Sequence, residues 1–287
     1  MNQKLCIITG ANSGIGKQAA IQIANAGTHV IIACRNKERG HAALADIQAS
    51  ISNGSAELKI LDMASQASIR SFADDINRSY SKVDVLIHNA ADFDIARKQA
   101  QISPDGIETV WAANHVGPVL LTALLMDKLK ASANGRVIMI SSKGLVVKPG
   151  TKVDLIDPEF KKRKYSVTDA YYQSKRAQEM FTLHLAGQLA GTSVTANCIR
   201  VTAVKIDISR YPNLSRIARM MYALKSKASI SPEQMAQTYV YLALSDEVKG
   251  ISGKCFDEKN RTTAMNAYST NPENIDAVVK LTAQYIK

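Results

Sequence analysis

The sequence predicts an α/β fold in which a doubly wound parallel sheet carries helices on both faces, as a single domain over residues 1–287. Short apolar runs alternate with longer helical patterns, and this strand–helix–strand repetition favours a parallel, right-handed sheet. Several apolar runs are nearly continuous, as is typical of parallel strands that are covered on both faces. No short-period repeat or low-complexity linker divides the chain.

The predicted elements alternate regularly along the chain. Strands are expected at 5–9, 29–34, 56–61, 83–88, 135–141 and 193–199, with a shorter one near 253–256. Helices are expected at 15–26, 37–51, 66–80, 104–131, 168–190, 231–245 and 272–286. The last two helices begin with a capping residue, a proline and an acid, all favourable in a first turn. Residues 143–166 and 201–230 interrupt the pattern and are expected to be functional or disordered loops.

Charge narrows the range of partners. The net charge of +11 attracts phosphates, nucleic acid and anionic surfaces. However, the densest basic run, Lys161–Lys164, has no zinc-finger spacing or aromatic-rich RNA-binding pattern beside it. We therefore expect a basic, solvated surface and no nucleic-acid partner.

Cysteine spacing and hydropathy indicate the cellular compartment in which the protein is expected. The four cysteines, Cys6, Cys34, Cys198 and Cys255, are far apart in sequence and are expected to be small core residues of a reduced chain, with no metal site. No signal peptide is visible, and no run approaches the ~20 apolar residues that cross a bilayer. These features predict a cytoplasmic protein without a transmembrane segment.

A glycine-rich turn, Thr9-Gly10-Ala11-Asn12-Ser13-Gly14-Ile15-Gly16-Lys17, follows the first predicted strand. Glycines allow a tight turn and close approach of the backbone to a pyrophosphate, and the helix that follows presents unpaired N–H groups. This context predicts a dinucleotide site in a Rossmann-type fold, although an ordinary glycine-rich turn has the same composition. The candidate contacts are Gly10, Asn12, Ser13, Gly14, Ile15 and Gly16.

The second predicted strand ends in Cys34-Arg35-Asn36. A site that selects NAD usually has an acid here for the ribose hydroxyls, whereas an arginine accommodates a 2′-phosphate. The nearest acid is Glu38, which lies already in the next element. Arg35, with Asn36 beside it, therefore predicts NADP(H), and Lys17 is a second candidate cation. Both cations could instead be solvated surface residues.

Tyr171 and Lys175 lie four residues apart on one predicted helix and share a face. A nearby ammonium favours the phenolate and lowers the pKa of a tyrosine. Tyr171 is thus a candidate general acid for reduction of a carbonyl and a base for the reverse reaction. The neighbouring Tyr172 has no lysine four residues further on, which favours Tyr171.

Taken in order, these motifs resemble those of the short-chain dehydrogenase/reductase family over about residues 1–260. The turn matches T-G-x-x-x-G-x-G, and Tyr171 with Lys175 matches Y-x-x-x-K. His88-Asn89-Ala90-Ala91 is similar to the family's N-N-A-G, and Ser141-Ser142 ends a strand where the family has a catalytic serine. Within the family, the sequences around Cys34-Arg35-Asn36 and Tyr171 most resemble the retinol dehydrogenase-like and protochlorophyllide reductase-like branch.

The resemblance implies a role for each residue. Ser142, the better match of the two serines, orients the substrate oxygen, and Tyr171 donates the proton. Lys175 holds the nicotinamide ribose, and Asn114 anchors a water that relays protons to Lys175. Each residue also has a purely structural alternative. Ser142 could belong only to a loop, Asn114 could satisfy a kink in its helix, and His88 could be a core residue. The implied cofactor contacts are Asp62, Met63, Asn89, Ala90, Tyr171, Lys175 and Val204.

The chain departs from the family at two places. Val201-Thr202 replaces the usual Pro-Gly after the sixth strand, and Ile206 stands near an expected threonine. A backbone group of Ala203 or Val204 could still hold the nicotinamide carboxamide. The serine and tyrosine candidates are 29 positions apart, about twice the usual spacing. The extra segment is expected over the start of the tyrosine helix, where it could favour a monomer over a homodimer or steer an anionic substrate.

The resemblance therefore implies an NADP(H)-dependent oxidoreductase that interconverts a small, apolar carbonyl compound and its alcohol. The sequence is also consistent with two other functions. The altered loop after the sixth strand is consistent with a nucleotide-sensing protein that has lost the chemistry. The basic charge is consistent with a peripheral membrane enzyme for lipid-like substrates.

Overall fold

The computed structural model describes residues 3–205, 226 and 229–286. Its strands are β1 (Leu5–Thr9), β2 (His29–Cys34), β3 (Ser55–Ile60), β4 (Val85–His88), β5 (Arg136–Ser142), β6 (Thr195–Val201), β7 (Cys255–Phe256) and β8 (Thr262–Thr263). They form one sheet in the order β3-β2-β1-β4-β5-β6-β7-β8. Every pairing is parallel except that of β7 with β8. The predicted doubly wound α/β fold is confirmed.

Helices cover both faces of this sheet. They are α1 (Gly14–Asn25), α2 (Lys37–Ser50), α3 (Gln66–Ser79), α4 (Thr109–Trp111), α5 (Gly117–Leu124), α6 (Met126–Lys130), α7 (Gly144–Val147), α8 (Val167–Gln188), α9 (Pro232–Leu244), α10 (Ala267–Thr270) and α11 (Pro272–Ala283). A π-helical turn, Ala112–Val116, joins α4 to α5, and a 3-10 turn, Asp246–Val248, follows α9. Across the described ranges, no helix is long and apolar enough to cross a membrane.

Alternation along the strands divides the apolar residues into two cores. In β1, Cys6 and Ile8 face one core and Leu5 and Ile7 face the other, because successive side chains point to opposite faces. Helices α1, α2 and α9 contribute to the first core. Helices α3, α5, α8 and α11 contribute to the second. This two-sided burial explains why the parallel strands have nearly continuous apolar sequences.

The order of the strands reverses between β1 and β4. The chain builds outward from β1 through β2 to β3 and then returns to add β4 on the other side. At such a switch point the loops on the carboxyl ends of the two strands diverge and leave a crevice, where ligands bind in open α/β sheets.

The helix predicted at 104–131 is wrong in its extent. It begins only at Thr109 and is broken into α4, the π-helical turn, α5 and α6. Gly106 adopts a φ of +77°, which keeps the chain out of a right-handed helix before Thr109. Pro118 lacks an N–H group and cannot donate to the Asn114 carbonyl, so the ordinary hydrogen-bonding pattern is interrupted at this point. Strand β8 and the short helices α7 and α10 were not predicted from the sequence.

Candidate active site

A continuous cavity of about 980 Å³ lies along the carboxyl ends of the strands, at the switch point between β1 and β4. It extends from the glycine-rich turn to the start of α8 and the segment after β6. The candidate residues that line it are Gly10, Asn12, Ser13, Gly14, Ile15, Gly16, Arg35, Asn36, Asp62, Met63, Asn89, Ala90, Ser142, Tyr171 and Val204. Asn114 and Lys175 are not among the described lining residues.

The three glycines of the turn have different structural tasks. Gly10 has a φ of +67°, and a Cβ there would lie 2.7 Å from the Ala90 Cα atom. Gly14 has a φ of +56° and would meet nothing within 4 Å, so its backbone is open to a ligand. A Cβ on Gly16 would lie 2.4 Å from Nδ2 of Asn89. The turn thus combines left-handed backbone, close packing and an open approach.

Asn89 fixes this turn to the end of β4. Its Nδ2 donates to the carbonyl oxygens of Thr9 and Gly10, at 3.0 and 3.1 Å, and its Oδ1 accepts from the Tyr239 hydroxyl at 3.1 Å. Next to it, the Ala90 amide donates to Thr9 Oγ1 at 3.0 Å. The side chain of Asn89 is therefore fully occupied in holding the loop, and its contribution to a ligand is indirect.

The turn has features that suit a phosphate. Ser13 is the N-cap of α1 but makes no side-chain capping hydrogen bond. The first amide groups of this twelve-residue helix therefore have no side-chain acceptor from the cap. They lie at the positive end of the helix dipole, which favours a bound anion. The Lys17 side chain lines the same cavity and forms an ion pair with Asp46 at 2.5 Å.

Two arginines, rather than one, lie at the end of β2. Arg35 lines the cavity as predicted, and Arg39, one turn into α2, lines it as well. Asn36 uses its side chain to cap α2, accepting from the Arg39 amide at 2.8 Å. Glu38 is not among the described lining residues. Sequence reasoning missed Arg39, although its spacing of four residues from Arg35 in a predicted first turn was visible.

The structure separates the two candidate serines. Ser141 is buried, and its hydroxyl donates to the Glu179 carboxylate at 2.8 Å. Ser142 lines the cavity, and its Oγ accepts from the Gly144 amide at 3.2 Å. Only Ser142 is thus placed to meet a ligand in the cavity.

Both neighbouring tyrosines reach the cavity, in different surroundings. The Tyr171 ring packs against Phe93, with ring centroids 4.5 Å apart, and Lys175 Nζ lies 5.5 Å from its centroid. The Tyr172 ring lies against Gly144 and has Lys148 Nζ 5.4 Å from its centroid. Tyr171 is therefore the tyrosine associated with Lys175.

Lys175 is buried rather than extended into the cavity. Its Nζ donates to the Ile140 carbonyl at 2.8 Å and to Gln178 Oε1 at 2.9 Å. Because burial penalises the charged form, the pKa of Lys175 is lowered to about 7. Its charge therefore changes near neutral pH, next to the Tyr171 ring.

Asn114 lies in the π-helical turn and clamps the loop after β4. Its Oδ1 accepts from the Asp92 amide at 2.6 Å, and its Nδ2 donates to the Asp92 carbonyl at 3.1 Å and to Ser174 Oγ at 3.2 Å. Its side chain is thus occupied by protein partners. Its carbonyl cannot receive a hydrogen bond from Pro118, four residues further on, which has no N–H.

Asp92 and Phe93 form a wall of the cavity that sequence reasoning missed. The Asp92 carboxylate makes a bidentate pair with Arg97, at 2.7 and 2.9 Å. Burial raises the pKa of this carboxyl, but hydrogen bonds and charge from Arg97 outweigh the burial and lower it overall. The irregular sequence of residues 91–103 has no motif that could have identified this wall.

The segment after β6 lies along the cavity. Val201, Thr202, Ala203, Val204 and Lys205 all line it. A parallel bridge joins Val204 to Ile230 through the Ala203 carbonyl and the Lys205 amide. This bridge uses the Ala203 carbonyl but neither the Ala203 N–H nor the N–H and C=O groups of Val204. Ile206, at the expected threonine position, lies outside the described residues.

The long segment before Tyr171 wraps the first half of α8. Lys148 pairs with Asp169 at 3.2 Å, the Thr151 carbonyl accepts from Arg176, and the Asp154 amide donates to Gln173. This position over the start of the tyrosine helix agrees with the sequence prediction.

His88 is a core residue. It is fully buried, and its Nε2 lies 2.8 Å from Thr122 Oγ1. Burial lowers the pKa of His88 to about 3, so the ring is neutral at physiological pH. The four cysteines are likewise buried and free. In the part of the chain that the structure describes, no cluster of histidine, cysteine and acidic side chains could hold a metal.

Known proteins are similar to this chain in sequence and in fold. Retinol dehydrogenase 13 of Homo sapiens is 39% identical over 260 residues, covering 88% of this chain and 76% of that protein. Retinol dehydrogenase 14 of Mus musculus is 34% identical over 269 residues, covering 90% and 78%. The crystal structure of an uncharacterized Mycobacterium paratuberculosis protein aligns with a TM-score of 0.73 at 28% identity, covering 99% of this chain and 93% of that one.

A second structure supports the fold alone. An Escherichia coli CFT073 protein complexed with NADPH aligns with a TM-score of 0.67 at 22% identity, covering 90% of this chain and 98% of that one. The sequence profile described as short chain dehydrogenase matches residues 4–152. With this profile match and relatives above 30% identity along most of their length, the chain belongs to the short-chain dehydrogenase family of oxidoreductases.

Proposed function

We propose that the protein is an NADP(H)-dependent oxidoreductase that interconverts a carbonyl compound and its alcohol, with Tyr171 as the general acid and base. The observation that carries this proposal is the continuity of one cavity, which joins the glycine-rich turn to Ser142 and Tyr171. A dinucleotide held at the turn can therefore reach a substrate held at the two hydroxyls. The relatives named retinol dehydrogenase are consistent with this reaction class.

The residues at the adenosine end suit a phosphorylated ribose. Arg35 and Arg39 line the cavity beyond β2, where a site selective for NAD would have an acid. Guanidinium groups bind phosphate through paired, charge-assisted hydrogen bonds. Asp62 and Met63 line the same end after β3 and are the candidates for contact with adenine.

At the other end, bound NADP(H) would supply or accept the hydride. The Ser142 hydroxyl accepts from Gly144 and so keeps its own proton to donate to a substrate oxygen. Tyr171 supplies the proton that completes an alcohol, or removes it in the reverse direction. The ammonium of Lys175, close to the Tyr171 ring, favours the phenolate form.

The substrate we propose is a small, largely apolar molecule. Ala91, Phe93, Ala113 and Val201 bring apolar side chains to the cavity, and the Phe93 ring packs against Tyr171. Ser142 and Tyr171 provide the hydroxyl groups that would orient a single oxygen. This combination of an apolar wall with few convergent polar groups is typical of small-molecule sites. The cytoplasmic location and the monomer or homodimer expected from the sequence remain predictions.

The proposal is tested with purified protein, NADPH and a panel of aldehydes, ketones and retinoids, by following the loss of reduced-nicotinamide absorbance. We expect turnover with at least one apolar carbonyl and weaker binding of NADH than of NADPH. Equal affinity for the two cofactors would overturn the NADP(H) assignment. Tight NADPH binding with no turnover on any panel member would favour the nucleotide-sensing alternative.

A further inference from the structure

One carboxylate behind the cavity joins several parts of the candidate site. Glu179 lies on α8 and is fully buried. Its Oε1 accepts from Ser141 Oγ at 2.8 Å, and its Oε2 accepts from Arg176 Nη1 at 2.9 Å and from Ser269 Oγ at 3.1 Å. Arg200 Nη2 lies 4.0 Å from Oε1. A charge buried to this extent is costly unless it is paired, and here both oxygens are engaged.

Three of these four partners stand next to a residue of the candidate site, and Ser269 does not. Ser141 precedes Ser142 at the end of β5, and Arg176 follows Lys175 on α8. The third, Arg200, precedes Val201 at the end of β6, where the cavity wall begins. One buried side chain therefore connects the segments that bear the hydroxyl, the lysine and the wall after β6.

The connection to Arg200 concerns the segment that departs from the family sequence. Val201-Thr202 stands where a proline would fix the backbone and a glycine would let it pass close to a ligand. In this chain Arg200 donates to the Ala264 carbonyl at 2.7 Å while it faces Glu179. Side-chain contacts thus hold the start of this segment, where local backbone restriction is missing.

We propose that Glu179 is a positioning residue that holds the segments carrying Ser142 and Val201–Val204 in register with α8 at the hydride-transfer end of the cavity. This assignment rests on the proposed function. Glu179 acts through its contacts with Ser141, Arg176 and Arg200. It is not among the described residues that line the cavity.

A glutamine at position 179 separates this role from simple space filling. The carboxylate accepts from Ser141 on one oxygen and from Arg176 and Ser269 on the other. An amide of the same shape has a single acceptor oxygen and places a donor at the second position. Glu179→Gln must therefore lose contacts on one side and leaves two arginines without their counter-charge.

The experiment compares Glu179→Gln, the double variant Arg176→Leu/Glu179→Leu and the control Asp84→Asn. Asp84 is a matched buried acid at the opposite end of the sheet, where it accepts from Ser132 Oγ at 2.6 Å and from the Leu5 amide at 2.8 Å. Four quantities are measured for each protein: Tm, Kd for 2′,5′-ADP, Kd for NADPH, and kcat at saturating NADPH. The nucleotide 2′,5′-ADP reports on the adenosine end alone.

We expect Glu179→Gln to retain its 2′,5′-ADP affinity, to bind NADPH more weakly and to lose roughly 10- to 100-fold in kcat, as small displacements of a reacting group can cause. The double variant removes the charge pair together, which commonly preserves stability. It leaves only Arg200 without its counter-charge, so it should lose less Tm than Glu179→Gln and still have a reduced kcat. Asp84→Asn should lose Tm but keep both affinities and kcat.

The experiment distinguishes failure of the positioning role from failure of the proposed function. If the double variant, or Glu179→Gln itself, has the NADPH affinity and kcat of the native protein, Glu179 has no positioning role. If the native protein binds neither NADPH nor 2′,5′-ADP, the proposed function is wrong and the positioning role falls with it.

Discussion

The two ends of the cavity are built in different ways. At the phosphate end, much of the lining lies close together in sequence, in Gly10 and residues 12–18, with glycines where side chains cannot fit. At the opposite end, where we propose that the nicotinamide lies, the lining comes from the ends of β4, β5 and β6 and from the start of α8. Here side chains distant in sequence, such as Phe93 and Tyr171, are placed by tertiary contacts.

This difference separates recognition of the cofactor phosphate from selection of the substrate. A backbone cradle followed by a helix N-terminus recognises phosphate regardless of the substrate that is reduced. A wall made from several loops can vary without disturbing that recognition, so it determines the substrate. Changes at the two ends of the cavity should therefore affect different measured quantities.

The largest expected effect follows from removal of the Tyr171 hydroxyl. Tyr171→Phe should lower kcat by about 10³-fold, the typical contribution of a positioned general acid. Its NADPH affinity should be nearly unchanged, because the ring still packs against Phe93. Tyr172→Phe is the matched control one residue away, and it should keep most of the activity. A reversed result would identify Tyr172 as the acid.

A smaller effect, confined to affinity, is expected from Arg35→Gln. Loss of a charge-assisted contact to the 2′-phosphate should weaken NADPH binding by roughly 10- to 100-fold. NADH binding should not change, since NADH has no 2′-phosphate. Arg78→Gln, a change of a well-exposed arginine on α3, provides the control. Parallel titrations with NADPH and NADH check this prediction, and equal losses for both cofactors would contradict it.

Gly16 and Gly187 offer a matched pair for the packing of the turn. Both lie in helices, but a Cβ on Gly16 would lie 2.4 Å from Asn89, whereas nothing lies within 4 Å of one on Gly187. Gly16→Ala should cost about 1–3 kcal/mol in the free energy of unfolding through overpacking. Gly187→Ala should instead stabilise by up to about 1 kcal/mol through helix propensity. Denaturant unfolding distinguishes them, and equal effects would refute the packing argument.

An effect that depends on pH is expected from the buried lysine. Burial lowers the pKa of Lys175 to about 7, whereas in the unfolded chain it titrates near 10.4. Between these values the unfolded chain binds more protons, so stability should rise with pH from about 7 to 10. Relative to Lys175→Met, the native protein should gain roughly 10 °C in Tm over this range, because each pKa unit of difference corresponds to about 1.4 kcal/mol. A difference in Tm that is independent of pH would contradict the lowered pKa.

The two ends also differed in how well the sequence predicted them. The turn, Arg35 and the Tyr171–Lys175 spacing are local patterns, and they predicted the cavity lining from Gly10 to Gly16 and the position of the tyrosine helix. Arg39 was visible at helical spacing and was overlooked.

Other features depend on contacts between distant segments. The wall of Asp92 and Phe93 is held by Asn114 and Arg97, and no spacing in the sequence indicates that arrangement. The break in the helix predicted at 104–131 reflects Gly106 and Pro118, local signals that the apolar periodicity obscured. Lys175 matched its motif, but only its surroundings show the two acceptors that hold its amine away from the cavity.

We propose that one cavity binds NADP(H) at one end and that Tyr171 transfers a proton at the other. The most direct test measures NADPH Kd and kcat for Tyr171→Phe, Arg35→Gln and their combination. We expect turnover to be lost without loss of affinity in the first, affinity to be lost with kcat preserved at saturating NADPH in the second, and additive effects in the third. Full turnover by Tyr171→Phe would contradict the claim.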